Sequence, residues 1–284
     1  MEATSAPRSV GPPWRLLVFI LTSAIGVLGL RLILAPFAGR VSTVAGVPFA
    51  TYVYVYTLAG GLLIGHVWTL RQVEPRGWSY VGLGREALRP STVFLGALLG
   101  AATIAVPSLL LLGLGWLRVE PAVAGDSLGA ALRSLVVLVP ASLWEELMLR
   151  GFFFAVLREV WGTGRAIAIT SILFGVLHFR NAGVNAQSVV LVALAGVFLG
   201  TVLVATRSLY AAWAAHLAWN FTMAGVLHAS VSGIGFAEPN YRVIDAGPDW
   251  ATGGVWGPEG GLFAGLSLMA AVLVLYRRRM RRGE

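Results

Sequence analysis

Long apolar runs alternate with short polar connections along the chain. Eight of these runs approach or exceed the roughly 20 residues that a helix needs to cross a bilayer. They lie at about 15–35, 48–70, 92–117, 128–157, 164–179, 186–206, 208–229 and 260–277. The fourth contains Pro140, where a helix can kink, and glycines four apart such as Gly96 and Gly100 favour close helix approach. The pattern predicts an all-α fold, a polytopic membrane helix bundle of about eight transmembrane helices.

Composition supports a membrane bundle and argues against a soluble domain. Hydrophobic residues make up 57% of the 284 positions and charged residues only 12%, against about 25% charged in soluble domains. We expect a single transmembrane bundle over residues 15–277, with a disordered N-terminal tail at 1–14 and a basic cytoplasmic tail at 278–284. The run that begins at Leu16 is longer than a signal-peptide core, so it is interpreted as a retained first span. The absence of cysteine excludes disulfides, thiol nucleophiles and thiolate metal sites.

The basic residues, all of them arginine, indicate how the chain is oriented in the membrane. With a cytoplasmic N-terminus, 14 arginines fall in cytoplasmic segments and 4 in outer segments, which is the bias of the positive-inside rule. The outer connection at about 230–259 agrees, because it carries four acidic residues and one arginine. We therefore expect both termini in the cytoplasm and attribute the net charge of +8 to this orientation, not to nucleic-acid binding. The arginine-only, alanine- and glycine-rich usage is typical of a bacterial inner-membrane protein.

Two adjacent glutamates lie inside the apolar stretch WEELMLRGFFF, residues 144–154. A charged side chain at the centre of a membrane helix costs about 2.5–3.5 kcal/mol, so the pair indicates a use in the interior of the bundle. Residues four apart share a helix face, so Glu146 and Arg150 can pair and neutralise each other. Glu145 lies about 100° around the helix from Glu146 and is left available for chemistry.

Two further polar sites follow on later spans. The stretch FGVLHFRN contains His178, and the stretch AAHLAWNFT contains His216 and Asn220, which are four residues apart and share a face. A turn near residues 162–164 would form an antiparallel hairpin and bring the glutamate pair and His178 to a similar depth. The other two histidines lie near span ends without a partner pattern and are interpreted as interfacial or packing residues.

These side chains permit two routes of hydrolysis. A glutamate and a histidine can remove a proton from water, while a second histidine and an asparagine hold the oxyanion of a tetrahedral intermediate. Alternatively, Glu145, His178 and His216 can ligate a divalent metal such as zinc, whose bound water then attacks. The residues alone leave both routes open. The chain lacks the G-x-S-G, G-x-G-D and H-E-x-x-H motifs of other intramembrane proteases.

Three short motifs carry a resemblance to a known family. EELMLR matches E-E-x-x-x-R, FGVLH matches F-x-x-x-H, and HLAWN matches H-x-x-x-N, in this order. Over about residues 125–225 the chain thereby resembles the CPBP family of intramembrane endopeptidases, also called the ABI or CAAX-protease family. The resemblance implies that Glu145 and His178 activate the water and that His216 and Asn220 bind the oxyanion. The family's supporting positions are matched by Glu146 and Arg150.

We therefore predict an intramembrane protease, glutamic-type or metal-dependent, that hydrolyses a peptide bond of a membrane-associated peptide or protein within the lipid bilayer. We expect no obligatory cofactor, because there is no third compact ligand motif. The prenylated CAAX substrate of eukaryotic members is not expected for a bacterial chain, whereas bacteriocin-like precursors are candidate substrates. The alternative is a non-catalytic membrane immunity or binding protein, or a transporter-like protein, that uses the same polar site.

Overall fold

A computed structural model of the protein describes residues 11–38, 40–44, 47–121, 125–235 and 240–281. Helices account for most of these residues and coincide with the apolar runs, because a helix satisfies its own backbone hydrogen bonds in lipid. Their bounds are α1 Pro12–Ala38, α2 Phe49–Gln72, α3 Pro90–Gly113, α4 Ser127–Arg150, α5 Phe152–Leu177, α6 Ala186–Thr206, α7 Leu209–Phe221, α8 Asp249–Thr252 and α9 Leu262–Arg281. The predicted helix bundle is confirmed.

The fourth and fifth spans differ from their predicted form. α4 continues through Pro140 and ends at Arg150, well before the predicted boundary, because the backbone at Gly151 (φ −78°, ψ −127°) leaves helical geometry. α5 is interrupted at Gly162, whose φ of 81° favours glycine. The break at Gly162 lies at the turn predicted near residues 162–164, whereas the break at Gly151 was not predicted.

The terminal helices extend beyond the predicted bundle. α1 begins at Pro12, inside the segment predicted as the tail 1–14, and α9 continues to Arg281, inside the predicted tail 278–284. Residues 1–10 and 282–284 of the predicted tails lie outside the described residues. The same is true of three charged residues used to predict the orientation, Arg8, Glu238 and Arg282.

Within the described residues, five stretches are long and apolar enough to cross a membrane. They are Pro12–Phe37, Phe49–Gln72, Pro90–Gly113, Ser127–Leu177 and Ala186–Thr206. The fourth of them contains both α4 and α5. α7 has only 13 residues and continues as a π-helical turn, Thr222–Leu227. These helices make the chain a multi-pass membrane protein, while the number of eight spans stays a prediction.

α3 packs closely on α7, the helix that carries the predicted site residues His216 and Asn220. Gly96 and Gly100 lie one turn apart on α3. A Cβ atom at Gly96 would overlap the carbonyl oxygen of Ala211, and one at Gly100 would overlap that of Ala215. Only residues without a side chain allow the two backbones to approach this closely. The approach fixes the depth and rotation of α7 beside α3.

One end of the bundle, which we call the basic end, is formed by the connections 73–89 and 206–208. The two connections are joined directly, since the Leu209 amide donates to the Gly82 carbonyl at 2.9 Å and the Ser208 hydroxyl donates to the Ala87 carbonyl at 2.7 Å. The described arginines in or beside these connections and at the helix ends that accompany them are Arg71, Arg76, Arg85, Arg89, Arg158, Arg165, Arg207, Arg277 and Arg278.

A cluster of charges ties three helices together at the basic end. Arg15 contacts Glu74 at 2.7 Å and Glu159 at 2.9 Å, and Arg76 contacts the same two carboxylates at 2.6 and 2.7 Å. Burial by itself would raise the pKa of Glu74, but hydrogen bonds from Arg76 and Arg15 outweigh it and hold that pKa below its usual value. The cluster connects the start of α1 with the end of α2 and with α5.

The opposite end, which we call the β end, is formed by the described residues of the connections 39–48, 114–126, 178–185 and 228–261. Two short antiparallel ribbons lie there: β1 (Thr43–Val44) pairs with β2 (Val47–Pro48), and β3 (Leu117–Pro121) pairs with β4 (Tyr241–Asp245). The Asn181 side chain donates to the Ser232 carbonyl at 2.9 Å and thereby joins two of the connections. The described parts of the longest connection, 228–235 and 240–261, lie at this end of the bundle.

Candidate active site

The last turns of α4 carry a fully buried ion pair. Glu146 and Arg150 have no exposed side-chain surface, and Arg150 Nη1 lies 3.1 Å from Glu146 Oε1, as their four-residue spacing predicts. Arg150 also donates to the Gly196 carbonyl on α6 at 3.2 Å, and its guanidinium lies 4.5 Å from the ring centre of Phe174 on α5. The arginine therefore connects α4 with both neighbouring helices, which a surface ion pair would not do.

Glu146 has a second partner, on α7, that the sequence did not indicate. Its Oε1 atom lies 3.0 Å from His216 Nδ1. A carboxylate only accepts, so Nδ1–H of the imidazole is the donor. The other ring nitrogen, Nε2, then faces Glu145 and lies 3.8 Å from its Oε2 atom. The two adjacent glutamates thus contact the two sides of one imidazole ring.

Exposure separates the two glutamates into different roles. The side chain of Glu145 is 17% exposed, whereas that of Glu146 is 0% exposed. Glu145 borders an open space, while Glu146 is enclosed by Arg150 and His216. Of the pair, Glu145 lines a cavity and Glu146 does not, as their positions on the helix predict.

His178 ends α5, where its ring is fixed by the preceding turn. Nδ1 lies 2.8 Å from the Phe174 carbonyl. Because a carbonyl only accepts, Nδ1–H is the donor, and Nε2 has no hydrogen-bond partner among the described residues. The Phe174 ring packs edge-on against both histidines, with centroid distances of 4.9 Å to His178 and 5.7 Å to His216. Phe174 therefore spaces the two imidazoles, which explains a phenylalanine four residues before the histidine.

One cavity collects the four side chains predicted to be catalytic. It has a volume of about 670 Å³ and is lined by Glu145, His178, His216 and Asn220, with apolar side chains from α2, α4, α5 and α6 around them. This volume lies within the range of about 300–1,000 Å³ typical of ligand sites. Among the contacts of the described residues, no hydrogen bond joins Glu145 to His178, although both line the cavity.

Asn220 lies one turn after His216 on the same side of α7 and lines the same cavity. Within the described part of the chain, its amide makes no hydrogen bond to another side chain or to the backbone. The amide is thus free to donate into the cavity. Its four-residue spacing from His216 is what brings the two side chains to one wall.

The sequence missed an acidic residue of this cavity, Glu259. It was counted only as a charge of the outer connection, yet it is buried and lines the cavity. One carboxylate oxygen accepts from Trp219 Nε1 at 2.8 Å, and the other accepts from the backbone amide and the hydroxyl of Ser232, both at 2.6 Å. Nothing in the local pattern GPEGG indicates these contacts, because they join distant parts of the chain.

A metal site made of Glu145, His178 and His216 is not preformed. The described residues contain no group of three or more histidine, aspartate or glutamate side chains arranged to hold a metal ion. His216 bonds to Glu146 through Nδ1 and His178 bonds to the Phe174 carbonyl through Nδ1, so Nε2 is the nitrogen that each ring would offer to a metal ion.

His66, which the sequence analysis interpreted as a packing or interfacial residue, is fully buried in the core. It contacts the chain just after α4, the helix that carries the two glutamates. Its Nδ1 lies 2.8 Å from the Leu62 carbonyl, and its Nε2 accepts from the Phe152 amide at 3.1 Å. A Cβ atom at Gly151 would collide with this ring. His66 thus fastens α2 to the break that ends the helix of the two glutamates. The remaining histidine, His228, packs against Tyr241 at a ring distance of 4.7 Å.

Comparison with known proteins agrees with this geometry. The family model "Type II CAAX prenyl endopeptidase Rce1-like" matches residues 127–222, the segment from α4 to the end of α7 that carries all six side chains predicted to be catalytic or supporting. No curated protein and no solved structure gives a significant match. Over residues 127–222 the chain is therefore similar to Rce1-like CAAX endopeptidases, in agreement with the resemblance of the motifs to CPBP intramembrane proteases.

Proposed function

We propose that the protein is an intramembrane endopeptidase that hydrolyses a peptide bond of a membrane-associated peptide or protein with a water molecule activated by glutamate and histidine. The observation that carries the proposal is the single cavity that Glu145, His178, His216 and Asn220 share, in which Glu145 is the one carboxylate of the pair open to the interior. The match to an endopeptidase family over the same segment supports it.

The reaction begins with the water molecule. Glu145 removes one of its protons while Nε2 of His178 accepts a hydrogen bond from the other, and the oxygen attacks the carbonyl carbon of the substrate. The carbonyl π electrons move to oxygen, and the oxyanion is held by the Asn220 amide and by Nε2–H of His216 in its doubly protonated form. Glu145 then returns its proton to the leaving nitrogen, the C–N bond breaks, and a carboxyl and an amine product result.

Glu146 and Arg150 act by positioning. The Glu146 carboxylate fixes the ring of His216 through Nδ1, and Arg150 balances the buried charge of that carboxylate. A ring held on one side by a buried ion pair keeps its other nitrogen aimed at the cavity. The pair therefore orients the oxyanion donor before the substrate arrives. A donor oriented in advance stabilises the transition state without having to reorganise during the reaction.

The setting we propose is a bacterial inner membrane with both termini in the cytoplasm, as the arginine distribution predicts. The substrates are membrane-associated peptides or proteins, because the cavity wall around the polar groups is mostly apolar. The family description names prenylated CAAX proteins, whereas for this chain we propose no requirement for a prenyl group. Peptides with and without a prenylated cysteine, compared at equal concentration, test this point.

The experiment that tests the proposed function is cleavage by the purified protein and by its Glu145→Gln variant. A panel of apolar peptides in detergent or proteoliposomes serves as substrate. The variant is expected to lose activity by about 10²–10⁴-fold with an unchanged melting temperature. Glu120→Gln, at an exposed position on β3, is the matched control and should cleave normally. If the wild type cleaves none of the panel but binds peptides as tightly as the variant does, the protein is a binding or transporter-like protein instead.

The proposed mechanism uses no metal, and this part has its own test. Prolonged dialysis against a chelator should leave the rate of peptide cleavage unchanged, and elemental analysis should find no zinc at one equivalent per chain. If chelation abolishes activity and added zinc restores it, the glutamate mechanism is wrong and the attacking water is bound to a metal. That result would leave the assignment as an endopeptidase intact.

A further inference from the structure

The cavity opens toward one end of the bundle. Its lining includes Pro48 of β2, Asn181 of the α5–α6 connection, and Ile234 and Gly235 of the longest connection. All of these belong to the β end. Among the described residues that line it, none comes from the connections 73–89 or 206–208 of the basic end. The cavity therefore runs from Glu145 toward the β end.

Between Glu145 and the basic end, the bundle is closely packed. Arg150 is fully buried, and so is Phe152 in the next turn of chain. The Phe152 ring packs against Phe19 at 5.2 Å and against Tyr80 at 5.8 Å. Beyond these rings lies the charge cluster that joins α1, α2 and α5. A layer of aromatic and ion-paired side chains thus separates the catalytic groups from the basic end.

The two ends differ in charge in a way that identifies them. The β end carries four described arginines, and these are accompanied by five described acidic residues, Glu120, Asp126, Asp245, Asp249 and Glu259. The basic end carries more than twice as many arginines in its connections and adjoining helix ends. Because arginine is retained on the cytoplasmic side of short membrane connections, the β end is the extracytoplasmic end.

We infer that the catalytic cavity is open to the extracytoplasmic side and closed to the cytoplasm. Its substrates are then apolar peptide segments presented on the outer surface of the membrane, such as parts of exported peptides or the outer ends of membrane helices. The sidedness rests on geometry and charge alone, whereas the cleavage of such segments rests on the proposed function. A cytoplasmic C-terminal peptide cannot reach Glu145 in this arrangement.

The chain offers a clean way to test the sidedness, because it has no native cysteine. Gly235 lines the cavity at the β end, and Gly164 lies in α5 close to its break at Gly162, beyond the charge cluster. Both glycines are exposed, neither has a positive φ, and an added Cβ at either position meets no described residue within 4 Å. Gly235→Cys and Gly164→Cys are therefore a matched pair of reporters.

The experiment is labelling of each variant with a membrane-impermeant maleimide, first in intact cells with a permeable outer layer and then after the inner membrane is permeabilised. Gly235→Cys is expected to react in intact cells to the same extent as after permeabilisation, and Gly164→Cys several-fold less in intact cells. The inference is overturned if Gly235→Cys reacts only after permeabilisation, or if Gly164→Cys reacts equally in intact cells.

A second measurement separates this inference from the proposed function. A bulky maleimide on Gly235→Cys should block entry and reduce peptide cleavage by the purified protein, while the same label on Gly164→Cys should leave the rate unchanged. If labelled Gly235→Cys cleaves peptide at the same rate as the unlabelled variant, the substrate does not enter from the β end. If the wild type cleaves no peptide but the intact-cell labelling is as expected, the proposed function fails and the sidedness stands.

Discussion

Glu146 Oε1 lies 3.0 Å from Nδ1 of His216 and 3.1 Å from Nη1 of Arg150, so one buried oxygen joins two helices. The contact to arginine is local to α4, and the contact to histidine is made across the bundle to α7. Together they turn Nε2 of His216 toward Glu145. The second glutamate of the pair therefore orients the imidazole as well as neutralising the arginine, and this gives predictions that distinguish orientation from stability.

Removing Glu146 alone should destabilise the protein. Glu146→Leu leaves the Arg150 charge buried without a partner, and loss of one member of a buried pair costs about 3–5 kcal/mol. Glu146→Leu with Arg150→Met replaces both charges by apolar groups and should recover most of the melting temperature, measured in detergent. Activity should stay low in the double variant, because His216 has still lost its orienting acceptor. A double variant that folds and cleaves at the wild-type rate would show that Glu146 serves only to balance Arg150.

Glu259 should hold the longest connection against α7. Its two carboxylate oxygens accept from Trp219 on one side and from Ser232 on the other. Glu259→Gln must direct its NH₂ group toward one of these donors, which leaves a buried donor unpaired at a cost of roughly 1–3 kcal/mol. We expect a lower melting temperature and a lower kcat, because Trp219 directly precedes Asn220.

A second substitution checks the cause of that loss. Trp219→Phe removes the donor to one of the two carboxylate oxygens, so Glu259→Gln should be milder in that background than in the wild type. The comparison requires melting temperatures and cleavage rates of all four proteins. Strictly additive losses would mean that Glu259 acts through contacts other than Trp219.

The close approach of α3 to α7 should be needed for activity. Gly100→Ala places a methyl group against the carbonyl of Ala215, the residue before His216, and overpacking of this kind costs about 1–3 kcal/mol. The displacement of α7 should lower kcat by moving His216 away from Glu145. Gly113→Ala on the same helix, where an added Cβ meets none of the described residues within 4 Å, is the control and should leave both rate and melting temperature unchanged. Normal cleavage by Gly100→Ala would exclude this role for the α3–α7 contact.

The charge cluster at the basic end should make stability depend on pH. The pKa of Glu74 is lowered in the folded protein, because hydrogen bonds from Arg76 and Arg15 outweigh the effect of burial. A carboxylate with a depressed folded pKa contributes stability above its unfolded pKa of about 4.3, and this contribution is lost as the pH falls through the folded value. The difference in melting temperature between the wild type and Glu74→Gln should be largest above about pH 5 and shrink below about pH 4. Glu120→Gln should show no comparable change, and a difference that is constant across this range would contradict the linkage.

Part of the candidate site could be predicted because it depends on neighbours along the chain. The Glu146–Arg150 pair and the shared wall of His216 and Asn220 follow from helix periodicity, which places residues four apart on one face. The helices themselves follow from apolar runs, because lipid leaves the backbone no partner except itself. The break at Gly162 lies at the predicted turn, but the break at Gly151 was missed, since a glycine in an apolar run is compatible with both a continuous and an interrupted helix.

The sequence by itself determined the membrane helices, their charge bias and the set of polar groups that lipid would not tolerate without a use. Only the tertiary structure decided that His216 bonds to Glu146, that Glu259 reaches the cavity, and toward which end the cavity opens. The physical reason is that these contacts join residues 27 to 70 positions apart. Their formation depends on how closely whole helices pack, which glycines such as Gly100 permit but local periodicity does not specify.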